Sequence, residues 1–306
     1  MCSMSSTTYI VGAGGQLGKA LRASDKAPAR LHGLTSADID IVDATSVADA
    51  LAGLGPGDVV LNCAAYTDVD GAQTDSGRAF AVNRDGPGHL ARMSATTGAR
   101  LIHVSTDYVF AGAAATDEGP RRSTPYEPGD VTGEPETVYG ASKLAGERAV
   151  FEIDPRATVV RTAWVYTGGP ASTDFVGTMR RLEAVRRDVT VVDDQTGSPT
   201  YAPDLADGLW ELVAADPDGS TAGAVLHATN AGSVSWYQVA RAVFEEVGAD
   251  PERVRPCSTD EFPRPAPRPA YSVLSGASWA SAGLTPLRDW RAALHAAVAG
   301  RRAGRG

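Results

Sequence analysis

The run Tyr9-Ile10-Val11-Gly12-Ala13-Gly14-Gly15-Gln16-Leu17-Gly18-Lys19-Ala20-Leu21 decides how this chain folds. Apolar residues lead into a glycine cluster, and the cluster leads into a helix-forming stretch: strand, tight turn, helix. Gly12, Gly15 and Gly18 fit the spacing G-x-x-G-x-x-G, whereas the G-x-G-x-x-G register fails because Leu17 stands at its last glycine position. Both spacings serve one end. Glycine allows a pyrophosphate to approach the backbone closely, and the free N–H groups at the helix start meet its charge. Turns collect glycine for other reasons too. Placement between a first strand and a first helix is what makes this turn a dinucleotide candidate.

The pattern continues downstream. Short apolar runs at residues 8–11, 31–35, 58–63, 100–105 and 157–162 read as strands, and Val59-Val60-Leu61 has the continuous apolar character of a buried parallel strand. Between them, helical stretches open near Gln16, Ser46, Ala72, Pro87 and Tyr139. Such alternation predicts an α/β fold, a Rossmann-type doubly wound parallel sheet with crossover helices. After about Tyr166 the rhythm is irregular, with helices expected over 173–187, 202–214, 235–247 and 288–299 and short strands near 190–192 and 224–227. We expect a dinucleotide-binding domain over residues 1–166 and a smaller, partly interleaved C-terminal substrate domain over residues 167–306. Residues 112–137, with Pro120, Pro125, Pro128 and Pro135, read as a long loop of the kind that covers binding sites. The proline-rich residues 262–269 are expected to run extended over the surface.

At 306 residues, 43% hydrophobic and 21% charged, the composition is that of a globular protein able to bury a substantial core. A net charge of −9 argues against a nucleic-acid binder, which presents a basic face. Cys2, Cys63 and Cys257 are odd in number and widely spaced, so neither a disulfide framework nor a zinc site is expected, in keeping with a reducing cytoplasm. The start does not read as a signal peptide, and no apolar run approaches the ~18 residues of a membrane span.

Reactive chemistry enters with Val138-Tyr139-Gly140-Ala141-Ser142-Lys143-Leu144. In a helix, Tyr139 and Lys143 share a face. Three of the chain's 28 basic residues are lysines. A compact ammonium is not interchangeable with a planar guanidinium where geometry is tight. The pair reads as a tyrosine whose acidity is adjusted by a cation, which lowers a phenol's pKa. On spacing alone it also fits a surface tyrosine packed on a lysine stem. The run His103-Val104-Ser105-Thr106-Asp107-Tyr108-Val109-Phe110 closes the fourth strand. Ligands of doubly wound sheets bind beyond the carboxyl ends of the strands, so Ser105 and Thr106 should reach the cleft, with Thr106 near the Tyr139 phenol. The second strand, Leu31-His32-Gly33-Leu34-Thr35-Ser36, ends without the carboxylate that binds adenosine ribose hydroxyls, and Asp38, Asp40 and Asp43 come later. NADPH is therefore the expected cofactor, with NADH also accepted.

Together, the glycine turn, Asn62-Cys63-Ala64-Ala65, the Ser105–Phe110 run and Tyr139 with Lys143 resemble the extended short-chain dehydrogenase/reductase family over nearly the whole chain. Ala65-Tyr66-Thr67-Asp68-Val69-Asp70, Arg161-Thr162-Ala163-Trp164-Val165-Tyr166 and Asp194-Gln195-Thr196-Gly197-Ser198-Pro199-Thr200-Tyr201 are similar to its dTDP-4-dehydrorhamnose reductase branch. The arginine and alanine usage resembles that of actinobacterial members. The resemblance implies NAD(P)H-dependent reduction of the C4 keto group of a dTDP-sugar. It implies that Gly12, Gly15, Gln16, Leu17 and Gly18 hold the pyrophosphate and that Asp43 and Ala44 lie by the adenine. Ala64, Ala65 and Tyr66 would line the cofactor cleft, and Val104 would lie by the nicotinamide. Thr106, Asp107 and Trp164 would meet the sugar nucleotide, Tyr139 would donate the proton, and Lys143 would bind the nicotinamide ribose. Some bacterial members also suggest a homodimer with Mg²⁺ between subunits; the sequence decides neither. Asp174-Phe175 stands where the family often has Asn-Phe, and residues 112–138 match no family pattern.

Other residues read mainly as structure: His89, His227, Trp210, Trp236 and Trp290 as packing groups, and Cys63 as a small buried hydrophobe. Arg268 offers a fork suited to a diphosphate and equally suits a solvated position. The rival functions are an epimerase or dehydratase of the same superfamily and a non-catalytic NADP-binding regulatory subunit. The presence of Thr106, Tyr139 and Lys143 together favours an enzyme.

Overall fold

The computed structural model describes residues 6–110, 122–215 and 219–299. Its centre is a six-stranded parallel sheet. Five strands are β1 (Thr8–Val11), β2 (Leu31–Leu34), β3 (Val59–Asn62), β4 (Arg100–Thr106) and β5 (Thr158–Thr162). The sixth, Val225–His227, completes the spatial order Val225–His227, β5, β4, β3, β1, β2. The chain leaves β1 for β2 on one side and crosses to β3 on the other, so the topological switch lies between β1 and β3. A ligand crevice belongs at that point, beyond the carboxyl ends of the strands. The register places Val11 beside Asn62, Asn62 beside His103 and Thr106 beside Thr162, which gathers these ends along one rim.

Strand periodicity divides the core between the two sheet faces. Ile10, Leu61, Ile102 and Val160 face one way, against Leu205, Leu209 and Trp210. Val11, Val60 and Leu101 face the other, against Leu90 and Val150. A separate cluster of Val176, Met179, Val239, Val243, Phe244 and Leu294 forms the core of the later segment. That segment also returns to the sheet. It supplies the Val225–His227 edge strand, and its Ala202–Ala215 helix lies along α1 (Gln16–Ala23), where Trp210 Nε1 donates to the Leu21 carbonyl at 3.0 Å.

The expected strands and helices recur with boundary shifts of one or two residues, apart from the stretch opened near Ala72. That becomes two short helices, Val69–Ala72 and Ser76–Phe80, then a π-helical turn at Ala81–Asp85. The carboxylates of Asp68 and Asp75 cap the short helices. Sequence reading also missed the strand Val254–Cys257, which pairs in parallel with Val189–Val192. Residues 112–121 of the expected long loop lie outside the described residues, as do 300–306 at the tail. Residues 262–269 carry no regular helix or strand. Among the described residues, no helix is long and apolar enough to cross a membrane.

Candidate active site

A cleft of about 1010 Å³ opens at the switch point. Its floor is the glycine turn. Gly12 has φ +88°, and a Cβ there would stand 2.6 Å from the Ala64 nitrogen. A Cβ on Gly18 would stand 2.3 Å from the Gly12 carbonyl oxygen. Neither position accepts a larger residue. The chain caps most of its other well-formed helices with a side chain: Asp43, Asp174, Ser235 and Thr137 each accept a backbone N–H. By contrast, α1 begins at Gly15 without a side-chain cap, so its first N–H groups remain for an anion. Gly12, Gly15, Gln16, Leu17 and Gly18 all line the cleft, as do Ala64, Ala65, Tyr66 and Val104. These features fit a dinucleotide pyrophosphate.

The adenosine end departs from expectation. Asp43 and Ala44 are exposed and do not line the cleft; the Asp43 carboxylate accepts the Thr45 N–H at 2.8 Å as a helix cap. Asp40 and Ile41 line it instead, with Thr35, Ser36 and Arg78. Nor is the end of β2 free of carboxylate, because Asp38 turns back to accept from the Thr35 N–H and hydroxyl at 2.8 and 2.7 Å. Three-residue reach through space was invisible in a strand-by-strand reading.

Tyr139 sits in the first turn of the Val138–Ile153 helix, capped by Thr137. Gly140 makes the approach possible, since a Cβ there would stand 2.2 Å from the Tyr108 carbonyl oxygen. The helix therefore packs directly on the turn after β4, bringing Tyr139 edge-on to Tyr108, with ring centroids 5.5 Å apart, and into hydrogen-bond contact with Thr106. The Thr106 hydroxyl in turn donates to the Asp107 carboxylate at 3.0 Å. A phenol, a hydroxyl and a carboxyl are thus linked in series along the cleft wall.

Lys143 stands one turn further along the same helix. It donates to the Val104 carbonyl at 2.7 Å and comes within 3.4 Å of His103 Nε2, in a pocket that leaves the residue 2% exposed. Burial pushes the Tyr139 phenol up to about 12; the Thr106 bond partly offsets this and Asp107 adds to it. Burial also brings Lys143 down to about 8, against the support of the Glu147 carboxylate. Both groups are withdrawn from water, and desolvation dominates each shift.

Sequence reading gave no role to two network residues, Asn62 and Asn83. The Asn62 side-chain oxygen accepts the Ala64 N–H at 3.0 Å, which leaves its amide nitrogen facing His103 Nδ1 at 3.0 Å. Burial and Lys143 hold His103 well below the usual imidazole range, so it is neutral. Asn83, in the π-helical turn, accepts the Tyr66 N–H at 2.8 Å and donates to Ser142 at 2.9 Å, and Ser142 donates to the Tyr139 carbonyl at 2.7 Å. It pins the Tyr66 wall of the cleft to the helix that carries Tyr139. Their signal was burial of polar side chains, which no spacing rule reports.

On the remaining side, Asp107 and Trp164 line the cleft with Phe175 and Trp236. Trp236 is therefore not only a packing residue. Cys63 lies just past β3, half-buried on the cleft lining, and burial raises its thiol. Arg268 is not in the cleft: it donates to the Asp70 carboxylate at 2.8 Å and the Ala266 carbonyl at 2.7 Å, clamping the proline-rich segment to the Val69–Ala72 helix. Arg264 shares the same carboxylate, and these bonds hold Asp70 near 2. The Asp174 carboxylate caps its helix through the Gly177 N–H at 2.8 Å and accepts from Thr167 at 2.7 and 2.8 Å. His227 packs as expected, its Nδ1 3.0 Å from the Tyr126 carbonyl. Among the described residues, no cluster of acidic, histidine or cysteine side chains stands where it could hold a metal ion.

Asp107 gives a pH prediction. It is 1% exposed, and burial raises its carboxyl to about 6. An unfolded aspartate ionises near ~3.9. Between those values the folded state holds the extra proton, so this group's contribution to stability falls as pH rises through the window. Wild type should lose about 2–3 kcal/mol there that Asp107→Asn does not lose. Thermal melts of both proteins at pH 4 and pH 7 check this; parallel pH profiles contradict it.

The model of the RmlD substrate binding domain family matches residues 6–302. The chain belongs to that family. It is 56% identical over 300 residues to a dTDP-4-dehydrorhamnose reductase of Mycobacterium tuberculosis, an alignment covering 98% of this chain and 94% of that protein. It is 46% identical to the dTDP-4-dehydrorhamnose reductase of Streptomyces griseus, covering 93% and 90% of the two chains. Among solved structures, the Bacillus anthracis dTDP-4-dehydrorhamnose reductase in complex with NADP superposes with a TM-score of 0.85 at 33% identity, covering 95% of this chain and 98% of that one. Family membership and the geometry of the cleft agree on a cofactor-dependent oxidoreductase.

Proposed function

We propose that this chain reduces the C4 keto group of dTDP-4-dehydrorhamnose to give dTDP-L-rhamnose, with NADPH as reductant. Residues 1–166 would hold the cofactor, and residues 167–306 most of the sugar-nucleotide side. The observation that carries the reading is the convergence of Tyr139, Thr106 and Asp107 in the cleft that also contains the uncapped glycine turn.

When bound, the dihydronicotinamide supplies the hydride. The protein's part is proton delivery and orientation. With its pKa near 12, the Tyr139 phenol keeps its proton at neutral pH and can release it only to a stronger base, such as the alkoxide that grows on the sugar oxygen. Thr106 holds the phenol oxygen in place and links it to Asp107. Lys143, near 8, is largely protonated at neutral pH and sits between Val104 and His103, where it would orient the nicotinamide ribose and favour the phenolate left after transfer. Burial of these groups strengthens each electrostatic contribution by excluding water.

Incubation with NADPH and dTDP-4-keto sugars tests the proposal: loss of NADPH absorbance should match formation of the dTDP-6-deoxysugar one for one. An epimerase or dehydratase would turn substrate over with no net change in cofactor, and a regulatory subunit would be inactive until bound to a second enzyme. The other expected outcome concerns the cofactor. Arg78 on the cleft lining supports NADPH, and kcat/KM should favour it over NADH about tenfold, the equivalent of ~1.4 kcal/mol. A preference for NADH would overturn that part.

A further inference from the structure

Trp164 has a backbone φ of +47°, and among the described residues it is the one non-glycine residue in the left-handed region. A bulky side chain there is strained, and such strain persists only when surrounding structure over-determines it. The surroundings do so on three sides. The indole of Trp236 stacks on that of Trp164 with ring centroids 3.5 Å apart and planes 7° from parallel. Phe175 backs Trp236 at 4.5 Å. At the edge of Trp164, a Cβ on Gly197 would stand 2.3 Å from Cε2 and 2.4 Å from Cζ2, so only glycine leaves room for the ring. The Trp164 carbonyl accepts the Thr200 N–H at 3.2 Å.

The chain is built to bring these groups together. Val234–Ser235 pairs antiparallel with Thr196–Gly197, setting Gly197 opposite Val234. Ser235 then caps the next helix in a reciprocal box with Gln238, which fixes Trp236 as its first residue. Asp194 accepts the Thr259 N–H and hydroxyl at 2.8 and 2.7 Å, and Asp193 accepts from Ser235. The 193–201 run therefore serves as the scaffold on which Trp164 is seated.

We infer that Trp236 and Gly197 are positioning residues that hold Trp164 as a fixed aromatic wall for the C–H face of the deoxysugar, Trp236 by stacking on its ring and Gly197 by clearing its edge. The inference rests on the reading that Trp164 meets the sugar nucleotide. Stacked indoles couple electronically and give a paired positive and negative band in far-ultraviolet circular dichroism, so the clamp has a signature in the protein alone.

The test compares Trp236→Ala, Trp236→Phe, Gly197→Ala and Trp164→Ala with wild type. Trp236→Ala and Trp164→Ala should both abolish the paired band. Trp236→Ala should raise KM for the dTDP-4-keto sugar about tenfold and leave KM for NADPH within about twofold, and Trp236→Phe should restore most of the loss. Gly197→Ala, which leaves both indoles in place, should disturb the band and raise the same KM. If Trp164→Ala raises the sugar KM but Trp236→Ala and Gly197→Ala do not, the positioning inference is overturned. If Trp164→Ala itself leaves that KM unchanged, the placement of Trp164 at the sugar fails and the inference falls with it.

Discussion

Tyr139→Phe should lower turnover about 10³-fold while NADPH binding stays near the wild-type value, the scale expected for loss of a general acid. The substitution removes one oxygen and little else. The phenyl ring keeps its edge contact with Tyr108, the helix keeps its Thr137 cap, and Gly140 still packs on the Tyr108 carbonyl. The glycine turn proposed to cradle the cofactor keeps its sequence. The split between kcat and cofactor affinity is the informative result, because a merely structural tyrosine would move both or neither. Steady-state kinetics with a fluorescence titration of NADPH measure it. Near-normal turnover would remove Tyr139 from the mechanism.

Glu147→Ala should destabilise the protein by about 3–5 kcal/mol. The Glu147 carboxylate grips Arg161 through both oxygens, at 2.9 and 2.7 Å, with side chains 4% and 5% exposed. Arg161 also lies 5.0 Å over the Phe110 ring, beneath the turn that carries Thr106. Removing the acid strands a guanidinium where water cannot reach it. At roughly 2–4 °C per kcal/mol for a large domain, a fall in Tm of about 6–20 °C follows. Calorimetric melts check the size; a drop of a degree or two would mean that the pair is solvated in solution. Replacing both partners by apolar residues should recover much of the loss, since it is the unpaired charge that costs. Glu147 also supports the Lys143 ammonium one helical turn earlier. Glu147→Gln, which keeps the shape, should therefore move the Lys143 limb of the pH–rate profile to lower pH.

The fold was legible because its deciding features are local. Val59-Val60-Leu61 could only be a buried strand, and Gly12 and Gly18 occupy positions where any Cβ would strike backbone. The cleft positions of residues that end a strand or open a helix were legible for the same reason: Thr106, Asp107 and Tyr139 are placed by the carboxyl end of β4 and by one capped helix. What the sequence hid was direction. Helical spacing put Lys143 on the face of Tyr139 but gave no sign that the Val104 carbonyl and His103 hold its ammonium. Arg268 suited a diphosphate or a solvated position equally in sequence, and neither reading foresaw its bond to Asp70, almost two hundred residues distant. Asp43 looked like a nucleotide contact and proved to be a helix cap. Trp236 has an ordinary apolar context in sequence; only the stack on Trp164 reveals its place in the cleft. Each is a long-range partnership, and spacing carries no record of those.

Reduction with NADPH deuterated at the transferable C4 position of its dihydronicotinamide is the most direct test of the central claim. The product should be a dTDP-6-deoxysugar carrying one deuterium at sugar C4, formed in equal amount to the NADP⁺ released. Turnover without deuterium at C4, or with the cofactor unchanged, would contradict it.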